Sequence, residues 1–204
     1  MEIMPKNEMV TSSKRTKLGV TQAVIECKLP VNNDTQVSKI LCASAKSYIS
    51  AFEANNGEVN FSGNVNFQVI YENEDKVASA LDYTADFKDK FVSDKINPMV
   101  VPIITSNVVD VNTTTLNNEV KVVAIVEICV EIIHTEEVSA LVEVTGDQVF
   151  TKTETINYSN FLGVLSDKFE VGYDVEIKDN ILQVLEVSLS PYLESVVADD
   201  RIAK

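Results

Sequence analysis

Between residues 57 and 71 the chain alternates: Val59, Phe61, Val65, Phe67, Val69 and Tyr71 share one parity, and Asn60, Ser62, Asn64, Asn66 and Gln68 the other. A repeat of two sends neighbouring side chains to opposite faces of an extended backbone, so this stretch is a long half-buried strand and not a helix. Gly63 falls on the apolar parity, where a missing side chain predicts a bulge or a bend that lets the sheet curl. From 119 to 133 the even positions Val120, Val122, Ala124, Val126, Ile128, Val130 and Ile132 are apolar throughout. The odd positions there mix Val123 and Ile125 with Lys121, Glu127 and Glu131. That pattern predicts a central strand covered partly on both faces. Val77, Leu81, Tyr83, Ala85, Phe87 and Phe91 mark a further strand, and two more are read at 99–111 and 138–153. Pro98 and Pro102 suit the first of these two to a sheet edge, where a lost N–H costs no ladder bond.

Turn residues stand between the runs. Asn55-Asn56-Gly57, Glu72-Asn73-Glu74-Asp75, Asn117-Asn118 and Gly146-Asp147 tolerate the backbone angles of tight reversals. Antiparallel strands with one apolar face bury it best against a second sheet. The expectation is an all-β fold, an antiparallel β-sandwich of about 7–9 strands. One or two short helices are added to it, the candidates being 34–42, with Val37, Ile40 and Leu41 at helical spacing, and 157–167.

Composition narrows the chemistry. With 31 acidic against 17 basic side chains the net charge is −14, which repels phosphate backbones and anionic membrane surfaces, so nucleic acid is not an expected partner. No run of about 18 apolar residues is present, so no membrane-spanning helix is expected. Cys27, Cys42 and Cys129 are widely spaced and odd in number, and form neither a disulfide framework nor, with a single histidine in the chain, a zinc site. They are read as small buried apolar residues of a reducing compartment. Residues 1–18 carry Lys6, Lys14, Arg15 and Lys17 without the apolar stretch of a signal peptide, and are expected to be a flexible arm of a protein made in the cytoplasm.

The end of the chain echoes an earlier part at an offset of 144 residues. Ile25-Glu26-Cys27-Lys28-Leu29-Pro30-Val31 aligns with Phe169-Glu170-Val171-Gly172-Tyr173-Asp174-Val175. Val37, Ile40, Leu41, Ala43, Tyr48, Ile49 and Phe52 then meet Ile181, Val184, Leu185, Val187, Tyr192, Leu193 and Val196. Tyr48 and Tyr192 are read as packing anchors with hydrogen-bonded hydroxyls. The expected organisation is an arm over 1–18, a complete domain over 19–163 and an incomplete second copy over 164–204. A partial copy leaves apolar faces and strand edges open. It docks on the first domain, pairs with another chain, or begins a repeat continued in a longer protein; the last is favoured.

Leu29-Pro30-Val31, Val37-Ser38-Lys39-Ile40-Leu41, Val59-Asn60-Phe61-Ser62-Gly63, Val69-Ile70-Tyr71 and Asp86-Phe87 together resemble the SPOCS domain of SipL-type proteins, over about residues 20–150. The resemblance implies a role in the coat or envelope of endospores in spore-forming Firmicutes. The usual companion of such a domain is a C-terminal LysM module that binds peptidoglycan, and no LysM module is read in this sequence.

Chemistry-bearing motifs are scarce. His134 precedes Glu136 and Glu137, and a solvated rim histidine accounts for it better than a catalytic dyad or a metal site. There is no GxSxG elbow, glycine-rich phosphate loop or HExxH helix. The acidic groups Glu72, Glu74 and Asp75, and Asp82, Asp86 and Asp89, lack the spacing of a calcium loop and read as solvated surface. No catalytic residue, cofactor or metal ligand is therefore assigned. The candidate partner-binding edge is the apolar face of the second copy, Ile177, Ile181, Leu185, Val187 and Leu189, which equally suits half a core awaiting the rest of its domain. The expected function is a non-enzymatic structural and protein-interaction module of the spore envelope, with protein partners or copies of itself. The alternative is a β-sandwich that binds a small ligand or glycan, for which the absence of tryptophan and the six tyrosines supply a poor sugar platform.

Overall fold

A computed structural model of the chain describes residues 4–31, 36–116, 119–146, 149–155, 160–164, 170–172, 174–176, 184–185 and 187. Its contacts divide the chain into two units, Met1–Glu170 and Val171–Lys204. The described part of the first unit is all-β: β1 (Met4–Pro30), β2 (Val37–Asn55), β3 (Glu58–Asn73), β4 (Ala78–Val92), β5 (Val101–Leu116) and β6 (Glu119–Thr145). They form two antiparallel three-stranded sheets, ordered β1-β6-β5 and β2-β3-β4.

The two runs of strict alternation become the middle strand of each sheet. In β3, Val59, Phe61, Val65, Phe67, Val69 and Tyr71 are buried, and in β6 so are Val120, Val122, Ala124, Val126, Ile128, Val130 and Ile132. These side chains meet in one apolar cluster with Cys27 and Leu29 of β1 and Phe87 of β4, and Val31, Ile96 and Val100 of the connecting segments join them. Each such side chain, fully buried, contributes about 1.5–3 kcal/mol relative to an exposed one. The middle strands thus supply most of the buried surface.

The hairpin at Asn55-Asn56-Gly57 forms as expected, with Asn55 paired to Glu58 and Gly57 at φ 84°, an angle that costs glycine nothing. The Gly57 N–H donates to the Ile96 carbonyl (2.9 Å), and its own carbonyl accepts the Ser93 N–H (2.9 Å), which ties the hairpin tip to the β4–β5 connection. At the next turn the Asn73 side-chain carbonyl accepts the Val77 N–H (2.8 Å). The Asn73 main chain bonds to Val77 and Lys76, so this polar residue, 8% exposed, is fully engaged. The Asn117-Asn118 turn lies outside the described residues. Pro102 sits in β5 at a sheet edge, as its chemistry requires.

Several expectations are corrected. The described residues hold six strands instead of seven to nine, and no helix. Residues 37–42 of the first helical candidate are in β2. Ser38 and Leu41 are extra residues with no partner in β3, so the inward positions run Val37, Ile40, Ala43, and two bulges imitate a helical spacing. Of the second candidate, 160–164 are described and are not helical. The strand read at 138–153 is, up to Thr145, the continuation of β6. It continues because residues 4–14, the greater part of the stretch expected to be a flexible arm, run beside it as the start of β1. Thr11, Ser12, Ser13 and Thr16 are polar but suit a strand, which is why this ribbon carries no apolar alternation. Tyr48 is no packing anchor: it lies opposite Asn64 and is 49% exposed. Tyr192 lies outside the described residues.

The cysteines divide too. Cys27 is buried, and burial followed by the adjacent Glu26 charge pushes its thiol pKa up. Cys129 is half-buried and Cys42 is exposed, because the Leu41 bulge puts Cys42 out of step with the inward positions Ile40 and Ala43. In the second unit none of the described residues is in a strand, and Val171, Val175, Val184 and Val187 are exposed.

Gly63 marks the curl expected of it. It pairs with Ile49, and the extra residue Ser50 falls between Ile49 and Ala51. A Cβ on Gly63 would overlap the Tyr48 carbonyl oxygen and lie 2.7 Å from Phe87 Cζ. Gly63→Ala is expected to lower unfolding free energy by about 1–3 kcal/mol, read from urea denaturation; an unchanged midpoint contradicts this packing. Thiol labelling with Ellman's reagent is expected to show one fast group, lost in Cys42→Ser, and Cys27 reacting only as the protein unfolds.

Candidate functional site

Outward positions on the β2-β3-β4 sheet make a polar wall. Thr84 Oγ1 donates to Asn66 Oδ1 (3.0 Å), Gln68 Nε2 to Asp82 Oδ1 (2.9 Å), and Ser50 Oγ to the Ser62 carbonyl (3.1 Å). Such cross-strand pairs hold side chains upright and leave a wet, hydrogen-bonding surface on strands whose other face is the core. The register makes this unavoidable, since a strand with one parity buried must show the other to water.

The other sheet has a different exterior. Lys121 pairs with Glu26 (2.8 Å), Lys28 with Glu119 (3.8 Å), and Arg15 donates from Nε to Glu131 (3.0 Å). Between these charges stand Val20 and Val24, the latter 67% exposed, opposite Cys129 and Ile125 of β6. Exposed ion pairs of this kind contribute about 0–1 kcal/mol each and set surface pattern more than stability.

Sheet edges differ in how open they are. β2 carries three unpaired extra residues, Ser38, Leu41 and Ser50, and β5 carries Val109 and Pro102. Bulges and proline spoil a strand as a template for another. β4 pairs with β3 over its whole length from Ala78 to Val92 without a register shift. Asp89, opposite Phe61, is the one charge on its inward parity. β4 is thus the most regular edge of its sheet.

Of the expected partner-binding edge, Leu185 is half-buried and Val187 exposed, and neither is in a strand. Ile177, Ile181 and Leu189 lie outside the described residues. The acidic groups stay dispersed: Asp82 and Asp86 point outward from β4, Asp89 inward, and no cluster of three potential metal ligands occurs among the described residues. His134 is not at a strand end, as the sequence suggested, but within β6 opposite Lys14. It is half-buried, not a solvated rim residue, and its Nδ1 is closed off without a hydrogen-bond partner among the described residues. Sequence reasoning missed this because Lys14 stands 120 positions away and falls in the stretch taken for an arm. No helix among the described residues is long and apolar enough to cross a membrane.

One carboxylate on the polar wall is electrostatically tuned. Hydrogen bonds from Lys90 (2.9 Å) and Asn60 (3.2 Å), with the Lys90 charge, hold the Glu58 pKa below the ordinary glutamate value. A carboxyl depressed on folding stabilises the fold above its unfolded pKa, and that contribution fades as pH falls through the folded value. The stability difference between wild type and Glu58→Gln is therefore expected to shrink on acidification over that window, and Lys90→Met to raise the Glu58 midpoint in an NMR titration. A midpoint unmoved by Lys90→Met contradicts the pairing.

Searches of curated proteins and of solved structures gave no match. A family model described as SipL, SPOCS domain matches residues 36–116, from the residue before β2 to the last of β5. The matched stretch contains every segment quoted above for the resemblance except Leu29-Pro30-Val31, at the end of β1 and just beyond it. Residues 36–116 of this chain are thus similar to the SPOCS domain of SipL-type proteins, as their sequence led us to expect.

Proposed function

We propose that this chain is a non-enzymatic structural and protein-interaction module of the bacterial spore coat or envelope. The observation that carries this reading is the match of residues 36–116 to the SipL, SPOCS domain, which supports a sporulation-related role. Among the described residues β4 is hydrogen-bonded to β3 alone, which leaves an edge on which another strand can add, and main-chain hydrogen bonds then supply affinity while flanking side chains supply selectivity. β4 is the edge best suited to this, being unbulged, with Asp82, Thr84, Asp86, Lys88 and Lys90 alternating outward along it. A net charge of −14 favours partners that bring basic side chains to that edge. Synthesis in the cytoplasm, deposition at the spore envelope and partners among its proteins belong to the same reading.

Affinity capture from sporulating cells tests it. The full chain is expected to retain a spore-envelope protein or further copies of itself, and Asp82→Lys/Asp86→Lys to weaken that capture at least tenfold with its circular dichroism unchanged. Capture of no envelope protein, together with a monomer by light scattering, sinks the proposal. The remaining reading is a β-sandwich for a small ligand or glycan, favoured only by the open polar wall of β2, β3 and β4.

A further inference from the structure

Lys6, Arg15, Lys28, Lys90, Lys121 and Lys152 each sit against a carboxylate. Lys14 and Lys95 do not: neither forms an ion pair among the described residues, and both line one cavity of about 500 Å³ where β1, β6 and the β4–β5 connection meet. No carboxylate among the described residues lines that cavity. Glu136, two residues beyond His134 in β6, is opposite Ser12 and is not part of its wall. In a chain of net charge −14, two unneutralised ammonium groups in one concave site make a local inversion of the field.

His134 is in the same wall, paired across the ladder with Lys14. Thr135 and Asn97 add a hydroxyl and an amide, and the buried side chains of Ile132 and Val100 form an apolar floor. Two ammonium groups, neutral donors and an apolar floor in one wall are the parts of a site for an amphipathic anion.

We propose that this cavity binds a small phosphate monoester. Lys14 and Lys95 match its two negative charges, Thr135 and Asn97 donate to phosphate oxygens, and the organic group rests on Ile132 and Val100. The volume exceeds what a phosphate head alone fills, which is why a monoester fits better than the inorganic ion. This assignment is independent of the interaction surfaces on β4.

NMR titration of the labelled full chain with phenyl phosphate tests it, against benzoate, inorganic phosphate and sodium chloride at equal ionic strength. Saturable shifts of the His134 ring and of the Ile132 and Val100 methyls are expected with phenyl phosphate, with benzoate and inorganic phosphate at least tenfold weaker. Lys14→Gln/Lys95→Gln is expected to weaken binding at least tenfold with the rest of the spectrum in place. Shifts no larger than those from sodium chloride, or undiminished affinity in the lysine double variant, would overturn the site. Equal binding of benzoate would overturn the dianion assignment, and equal binding of inorganic phosphate the role of the apolar floor.

Discussion

Two strands that alternate with almost no exception determine the rest of this fold. β3 buries one parity along its whole length and β6 from Val120 to Ile132, and neither can do so unless the other lies across from it. Flanking strands are then recruited by hydrogen bonding, and tolerate more irregularity in proportion as they bury less. β2 shows this limit: three extra residues interrupt its ladder while Ile40, Ala43, Ala45 and Ile49 still reach the core's edge. Gly63 is where the two demands collide, since the bulge at Ser50 carries the Tyr48 carbonyl over a position with room for no side chain.

What was legible in the sequence follows from this hierarchy. Burial of one parity is written directly into residues 57–71 and 119–133, and the Asn-Gly turn between β2 and β3 into two adjacent residues. Irregular strands are harder to read because a bulge changes the period. Val37, Ile40 and Ala43 recur every third residue, and a period of three is what a short helix also shows. The ribbon of residues 4–14 beside 134–145 was illegible for the opposite reason. It buries little, so no apolar alternation records it, and its evidence lies in β-tolerant Thr and Ser and in a partner far along the chain.

The same distance hid the electrostatics. Lys14, Lys95 and His134 are unremarkable one at a time, and only the antiparallel pairing of β1 with β6 and the placing of the β4–β5 connection bring them to one cavity. Cys42 illustrates the point at short range: its neighbours Leu41 and Ala43 are apolar, yet one unpaired residue beside it is enough to send the thiol to water.

Residues 36–116 span β2 to β5, yet this stretch alone does not make a closed structure. It contains the whole β2-β3-β4 sheet, but of the sheet that covers it only the edge strand β5, whose one partner among the described residues is β6. Without β6 the buried faces of Phe67 and Val69 would meet water, and β5 would have no ladder. The physical unit is therefore wider than the matched segment and takes in β1 and β6.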